Sequence, residues 1–253
     1  PPASQPPGTP FIELQTVDST NTYARQRIQE GRAADGMAFF AHEQTAGKGQ
    51  RGQSWAGEPK MNIALSLVLK PTFLNPNHAF TLSACIAVSV RNLFARYAGD
   101  ETTLKWPNDL YWKDRKAGGI LIESVMRTAA AGWDWAIVGI GININQTVFP
   151  DWLPNPVSLK QITGRTFEPV TLARELCIEV GQNYETLRSG GANALIETYN
   201  RHLYAIGRVV RLRKGNRHFQ ALIKGVTGEG ALQVEHGVEE TYRFGEVQWV
   251  VEP

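Results

Sequence analysis

The sequence has few cysteines, no metal-ligand pattern and almost no net charge. Its two cysteines, Cys85 and Cys177, lie in apolar stretches with helical spacing, so we expect reduced core thiols rather than a disulfide or a metal pair. None of the five histidines has ligand spacing with another histidine or with a cysteine. A formal charge of +2 over 253 residues gives no indication of a nucleic-acid partner.

Long hydrophobic runs are also missing. The longest run, 63–69, is interrupted by Ser66 and is far too short to span a bilayer, and no stretch resembles a signal peptide. We therefore expect a cytoplasmic protein with no membrane association. The rest of the composition, 42% hydrophobic and 20% charged, is typical of a globular protein with one large domain and room for a small one. The Pro-rich opening, residues 1–10, is predicted to be a flexible arm.

The most distinctive stretch is 43–55, EQTAGKGQRGQSW, in which glycines alternate with cations before a terminal tryptophan. Glycines permit positive φ, so backbone N–H groups can converge on an anion, and Lys48 and Arg51 add charge beside them. We predict a loop that closes over a phosphate or a carboxylate. The alternative is a flexible surface turn. The stretch lacks the ending of a Walker loop, and the residues after it do not open a helix as a dinucleotide fingerprint requires.

Apolar periodicity and turn residues predict a mixed α+β chain. Strands are expected at 11–14, 37–42, 62–69, 103–106, 109–112, 120–125 and 133–143, and helices at 18–29, 77–98, 171–187 and 193–202. Residues 145–169, rich in proline and asparagine, are predicted to be a surface connection. From Gly207 the pattern changes to short alternating strands at 209–212, 219–226, 231–235 and 241–244, separated by glycines. This pattern indicates a small β domain of the size of an SH3-like barrel, with a boundary near Ala205.

Four further clusters carry polar or glycine residues where the chain changes direction. They are KWPNDL at 105–110, DRKAGGIL at 114–121, GIGIN at 139–143 and STN at 19–21. Each has a structural alternative: a turn satisfied by its own side chains, a solvated hairpin lysine, a closely packed strand and a helix cap, respectively. Each signal alone is weak or moderate, and their combination and order are specific.

With EQTAGKGQRG, KWPNDL, DRKAGGILIE and GIGININ in this order, the sequence resembles the biotin protein ligases from Phe11 to Glu252. The ending RFGEVQWV is similar to the small C-terminal β domain of that family. The resemblance implies a catalytic domain at 11–205, distantly like class II tRNA synthetases, followed by an SH3-like domain at 206–253. It implies that ATP activates biotin to biotinyl-5′-AMP, and that the biotinyl group passes to one lysine of a biotin carboxyl carrier protein or carboxylase domain.

The resemblance also implies which residues bind biotin: Ser19, Thr20, Asn21, Gln44, Gly47, Lys48, Gly49, Gln50, Lys116 and Gly119. Ser19, Thr20 and Gln44 would pair with the ureido ring, whose two N–H groups and one carbonyl need partners in a closed pocket. Gly47 and Lys48 would contact the ring through backbone atoms. Gly49 and Gln50 would complete the loop over it.

The nucleotide side implied by the resemblance consists of Arg51, Trp55, Lys105, Asn108 and Asn143. Arg51 would hold the phosphates and Trp55 would stack near the adenine. Lys116, Arg51 and Asp109 would be the catalytic residues, since the biotin carboxylate must approach an anionic α-phosphate and Lys116 would touch both. Mg²⁺ would assist the departure of pyrophosphate, with Asp109 the candidate carboxylate beside it.

Gln50 departs from the family pattern, in which many members carry a basic residue at this position. We therefore expect Lys48 and Arg51 to contribute more to retention of the adenylate. About ten residues precede Phe11, too few for a DNA-reading domain of three helices, so a repressor is not expected. Lipoate ligation, a non-catalytic biotin-binding module and a homodimer stay open as alternatives.

Overall fold

The computed structural model describes residues 5–75, 78–125 and 134–250. Its larger part is organised on a seven-stranded mixed sheet with the order β1-β2-β3-β7-β6-β5-β4. The strands are β1 Phe11–Val17, β2 Ala38–Gln44, β3 Ile63–Leu69, β4 Thr102–Lys105, β5 Asp109–Trp112, β6 Arg115–Val125 and β7 Trp135–Ile142. β1 pairs parallel to β2, and the other neighbouring strands are antiparallel. The predicted α+β class is confirmed.

The helices cover the two faces of this sheet unequally. They are α1 Thr20–Gln29, α2 Ala79–Ala98, α3 Leu159–Thr163, α4 Pro169–Arg188 and α5 Ala192–Arg201. Leu65, Leu67 and Leu69 of β3 belong to the large core that also contains α2 and α4. On the opposite face, α1 packs over a small cluster that includes Phe39, Val68 and Ile137. Because α1 is only ten residues long, part of that face is left for a cleft.

The C-terminal part forms a five-stranded antiparallel sheet with the order β11-β10-β9-β8-β12. Its strands are β8 Val209–Lys214, β9 Arg217–Val226, β10 Leu232–Glu235, β11 Glu239–Tyr242 and β12 Gln248–Trp249. Two indole N–H groups join it to the larger part: Trp106 Nε1 donates to the Gly230 carbonyl at 3.0 Å, and Trp249 Nε1 donates to the Trp106 carbonyl at 3.1 Å. Trp106 of the KWPND turn is therefore part of the contact with the small domain, together with Asn200, whose side chain pairs with the Val226 backbone.

Two segments that were expected to be irregular have defined local structure. The described end of the predicted arm is packed, since the Gly8 amide donates to the Gly36 carbonyl at 2.7 Å and a Cβ on Gly8 would lie 2.6 Å from Cys177 Cβ. The connection at 145–169 contains α3, which Ser158 caps in a capping box with Gln161. The expectations for residues 1–4, 77, 133 and 251–253 lie outside the described residues.

The cysteine prediction is confirmed. Cys85 on α2 and Cys177 on α4 are free and buried, and burial raises the pKa of each thiol to about 12. At neutral pH both are protonated and behave as small apolar side chains. Within the described ranges, no helix combines the length and apolarity needed to cross a membrane.

Candidate active site

A cleft of about 390 Å³ lies on the α1 side of the sheet. Its floor is a row of paired residues that crosses four strands: Ala64 of β3, Gly141 of β7, Gly119 of β6 and Asp109 of β5. Small residues at the first three positions leave space above the backbone. Polar side chains therefore stand at the two ends of the floor, and a ligand can lie along it.

The β2 end of the cleft is a connected hydrogen-bond network. Gln44 Oε1 accepts from the Thr20 backbone N–H at 2.8 Å and lies 3.1 Å from Thr20 Oγ1. Ser66 Oγ, fully buried on β3, lies 2.8 Å from Thr20 Oγ1 and 2.5 Å from Asn21 Oδ1. Fixed donors and acceptors of this kind match a small uncharged ring that carries N–H groups and a carbonyl.

Asn21 connects this network to β6. Its Nδ2 donates to Glu123 Oε2 at 2.7 Å, and a Cβ on Gly139 would lie 2.4 Å from Asn21 Oδ1. Gly139 therefore allows the start of α1 to sit directly on the sheet. Ser19 is the N-cap residue of α1, but its side chain makes no capping hydrogen bond. Ser19 therefore occupies the N-cap position without a side-chain capping bond, and it is a buried residue that lines the cleft.

The Gly-rich stretch is a hairpin at the entrance of the cleft. The Gly49 amide donates to the Gln53 carbonyl at 2.7 Å, and the Trp55 amide donates to the Gly47 carbonyl at 2.9 Å. Its tip is a single 3₁₀ turn at Gln50–Gly52, in which Arg51 has a left-handed φ of 54°. The side chains of Lys48 and Arg51 are not buried, and Lys48, Gly49, Gln50 and Arg51 all line the cleft.

Trp55 lies on the floor of the cleft. A Cβ on Gly141 would lie 2.5 Å from Trp55 Cε2, so the indole packs directly on β7. Trp55 Cβ and Gln44 Nε2 both lie close to Gly47, so Trp55 is near the β2 end. The expected contact of Trp55 with the adenine stays a prediction.

Lys116 and Asp109 form an ion pair at the other end of the floor, with Lys116 Nζ 2.6 Å from Asp109 Oδ1. Both side chains are partly buried, and both line the cleft. Gly119 lies beside them, because a Cβ there would be 3.6 Å from Asp109 Oδ1 and 3.8 Å from Lys116 Nζ. Asn108 holds the turn before Asp109, since its Nδ2 donates to the Ile120 carbonyl at 2.8 Å.

Asn143 anchors a segment that was not predicted to be functional. Its Nδ2 donates to the Val157 carbonyl at 3.1 Å, and the Val157 amide donates to the Lys116 carbonyl at 2.9 Å. The segment before it carries Trp152 and Leu153 to the edge of the cleft, with Trp152 58% exposed. A tryptophan among prolines in an otherwise polar connection is the sequence signal for such a loop, whereas the composition predicted only a surface connection.

The structure places Lys105, for which a nucleotide contact was expected, outside the lining of the cleft. Its side chain is 5% exposed and is not among the residues that line the cleft. Lys105 Nζ lies 4.5 Å from the Tyr111 ring centroid, 5.3 Å from that of Tyr204 and 5.4 Å from that of Trp249. Burial lowers the pKa of Lys105 to about 8, with Asp109 opposing the shift and Lys116 adding to it. Lys105 therefore belongs to the junction between the domains.

Two family models match the chain. The Biotin/lipoate A/B protein ligase family matches residues 13–143, and the Biotin protein ligase C terminal domain matches residues 205–249. The first match contains every predicted site residue, and the second contains Phe244, which lines the cleft but was not predicted.

Curated relatives and solved structures agree with these matches. The chain is 31% identical over 236 residues to the bifunctional ligase/repressor BirA of Salmonella typhimurium, covering 92% of this chain and 72% of that protein. It is 29% identical over 227 residues to the biotin–[acetyl-CoA-carboxylase] ligase of Paracoccus denitrificans, covering 87% of this chain and 91% of that protein. Its fold matches the biotin protein ligase of Aquifex aeolicus solved with biotin and ATP, with a TM-score of 0.79, 24% identity and coverage of 94% and 98%.

Proposed function

Because the chain belongs to the biotin/lipoate A/B protein ligase family, we propose that it activates biotin with ATP and transfers the biotinyl group to a lysine of a carrier protein. The observation that carries the proposal is the floor of the cleft. It joins the uncharged network around Gln44 to the Lys116–Asp109 ion pair through a row of small residues, Ala64, Gly141 and Gly119, with the Trp55 indole packed on Gly141. That layout fits a molecule with a polar ring at one end and a carboxylate at the other.

In the first step, a carboxylate oxygen of biotin attacks the α-phosphorus of ATP. The C–O–P bond of biotinyl-5′-AMP forms as the bond to pyrophosphate breaks, and no proton is transferred. Lys116 brings an ammonium to the point where two anions meet, and Asp109 orients it through the 2.6 Å ion pair. Arg51 adds a second cation at the tip of the hairpin. Such fixed charges stabilise charge that develops in the transition state.

A magnesium ion fits this end of the cleft. Among the described residues that line it, Asp109 is the one acidic side chain, and no group of three metal-ligating residues occurs in the described ranges. Mg²⁺ prefers this arrangement, in which one carboxylate and nucleotide phosphates supply its oxygens. When bound, the ion would neutralise the leaving pyrophosphate, and Asp109 would hold it.

The outer wall of the cleft protects the mixed anhydride from water. The hairpin at 47–55 and the segment with Trp152 both present cleft-lining residues. We propose that Trp152 covers the adenine, the role first expected of Trp55. Exclusion of water keeps the adenylate intact until the acceptor arrives.

In the second step, the acceptor lysine amine attacks the activated carbonyl, a C–N bond forms, and AMP leaves with the oxygen. The amine has an ordinary pKa near 10.4 and must first lose a proton. Asp109 stays a candidate acceptor for that proton. The identity of the acceptor, the absence of DNA binding, a homodimer, the cytoplasmic location and the domain bounds 11–205 and 206–253 stay predictions.

The test is a mass measurement. The protein is mixed with biotin, ATP, Mg²⁺ and an apo carrier domain, and the carrier should gain one biotinyl group while pyrophosphate is released. A parallel reaction with lipoate in place of biotin should give no addition, because the β2 end is arranged for ring N–H and carbonyl groups. Biotin bound without pyrophosphate release would instead indicate a binding module, and transfer of lipoate would indicate the sibling ligase activity.

A further inference from the structure

The C-terminal domain holds the side chain of Arg51. Arg51 Cζ lies 4.5 Å from the centroid of the Phe244 ring. A Cβ on Gly245, whose φ is +97°, would lie 1.8 Å from Arg51 Nη2, so the guanidinium fills the space that a side chain at 245 would occupy. A residue of the hairpin tip is thus seated on the turn between β11 and β12, across the domain boundary.

The position of the Phe244 ring is itself restricted by its neighbours. Its ring meets the Trp106 ring edge-on, with centroids 6.2 Å apart and an interplanar angle of 80°. The turn that carries it is closed by Glu246, whose Oε2 accepts from the Arg243 amide at 2.7 Å. Phe244 is nevertheless 48% exposed and lines the cleft. Because about half of the Phe244 side chain stays exposed, burial of the ring contributes little stability, and the contact with Arg51 is the more important feature of this position.

Arg51 is a cation without an anionic partner in the described part of the chain. It forms none of the salt bridges or side-chain hydrogen bonds found there, and its left-handed backbone projects it from the hairpin tip. A phenyl ring attracts a guanidinium electrostatically but does not neutralise it, and the N–H donors stay available for a phosphate. The Phe244 contact therefore restricts the position of the charge without consuming it.

We propose that Phe244 is a positioning residue for Arg51, and that through it the C-terminal domain organises the triphosphate end of the ATP site. The inference rests on the proposed function, since the anion that Arg51 would bind is the phosphate chain of ATP. It assigns a role to a residue outside the catalytic domain, in the stretch RFGEVQWV, for which no site role was expected. Preorganisation of a flexible arginine lowers the entropy lost when the nucleotide binds.

The experiment compares Phe244→Ala, Phe244→Tyr, Arg51→Ala and the double variant in the full chain. The probe is α,β-methylene-ATP, which cannot be cleaved between its α- and β-phosphates, and calorimetry gives its dissociation constant. We expect Phe244→Ala to weaken binding by about two- to fivefold, the scale of an exposed cation–π contact. Phe244→Tyr keeps an aromatic face and should bind as tightly as the original protein.

The double variant separates positioning from general damage. If Phe244 acts through Arg51, then Phe244→Ala should add no further loss when Arg51 is already alanine. Biotin affinity and the unfolding temperature should be unchanged in Phe244→Ala. Phe73→Ala is the matched control, because Phe73 is also an exposed phenyl group near an arginine, but it lies outside the cleft.

Equal nucleotide affinity in Phe244→Ala and the original protein would overturn the inference, as would equal losses in the presence and absence of Arg51. These outcomes are distinct from failure of the proposed function. That failure would appear in the original protein as no pyrophosphate release with biotin and ATP, whatever residue stands at 244.

Discussion

At the β2 end of the cleft, Gln44, Thr20, Ser66 and Asn21 are hydrogen-bonded to one another on regular elements, whereas at the other end Arg51, Trp152 and Phe244 stand on loops. The first arrangement suits a rigid, uncharged ring, whose partners can be placed before it binds. The second suits a flexible polyanion that brings its own metal ion and must be enclosed afterwards. Lys116 lies at the end of the floor opposite Gln44, at the junction where the carboxylate of biotin would meet the nucleotide. The following substitutions test whether the ring-binding part and the nucleotide-binding part of the cleft act separately.

Lys116→Met should have the largest effect, because it removes the cation at the junction. We expect the rate of biotinyl-AMP formation to fall by about 10²–10³-fold, the scale seen when one charge-stabilising donor is deleted. Biotin affinity should change much less, since the β2 network is intact. Pyrophosphate release in single-turnover experiments measures the rate. Lys113→Met is the control, because Lys113 lies three residues away on the β5–β6 turn and is not among the cleft-lining residues.

Gln44→Leu should weaken the binding of biotin at the β2 end and leave the binding of the nucleotide unchanged. The substitution leaves the Thr20 N–H without its acceptor and removes a partner for the ring. An unpaired buried polar group costs about 1–3 kcal/mol, so biotin should bind on the order of 5- to 150-fold more weakly. Calorimetry with biotin and with α,β-methylene-ATP tests this, and an equal loss for both ligands would contradict separate ends. Gln26→Leu on the exposed side of α1 is the control.

Gly141→Ala and Gly119→Ala compare two positions of the same floor. A Cβ at 141 would meet the Trp55 ring at 2.5 Å, whereas a Cβ at 119 would make ordinary contacts at 3.6 Å or more. We expect Gly141→Ala to lower the free energy of unfolding by about 1–3 kcal/mol and Gly119→Ala to lower it by less. Urea unfolding of both variants is the measurement. Similar values would mean that Trp55 moves away from the floor without loss.

Lys105→Met should show that Lys105 belongs to neither end. The pKa of Lys105 is about 8 in the folded protein and near 10.4 in the unfolded chain, so between these values the unfolded chain binds more protons. The folded state is therefore stabilised as pH rises. The stability of the original protein relative to Lys105→Met should increase by about 1–2 kcal/mol from pH 7 to pH 9.5. Urea unfolding at both pH values checks this, and nucleotide affinity should be unchanged.

Local patterns predicted most elements, whereas the resemblance implied Gln44, Thr20 and Asn21 of the β2 end and missed Ser66. The alternation of Ile63, Leu65, Leu67 and Leu69 predicted β3, and helical spacing predicted α2 and α4, because burial of one face leaves a period in the sequence. The resemblance to biotin protein ligases brought Gln44, Thr20 and Lys116 into one site, and the structure places all three in one cleft. Their spacing alone supported only a loop for an unspecified anion.

Residues with neighbours from distant parts of the chain could not be placed from the sequence. Lys105 was expected at the nucleotide because it begins KWPND, and in the structure it is surrounded by Tyr111 and by Tyr204 and Trp249, the last two about a hundred residues or more away. Trp55 was expected at the adenine because it ends the Gly-rich stretch, but Gly141 offers it a surface without a side chain. Periodicity reports which face of an element is buried and carries no information on what covers it.

The amino-acid sequence by itself determined the α+β architecture, the small β domain after residue 205 and the glycine-rich hairpin with its cations. Only the tertiary structure decided that Arg51 is seated on Phe244, that Trp152 stands at the entrance and that Lys105 belongs to the domain junction. The physical reason is the range of the interactions. Turns and strand alternation depend on residues a few positions apart, whereas these placements join residues that are distant in the chain, and the contacts of Arg51 and Lys105 also cross the domain boundary.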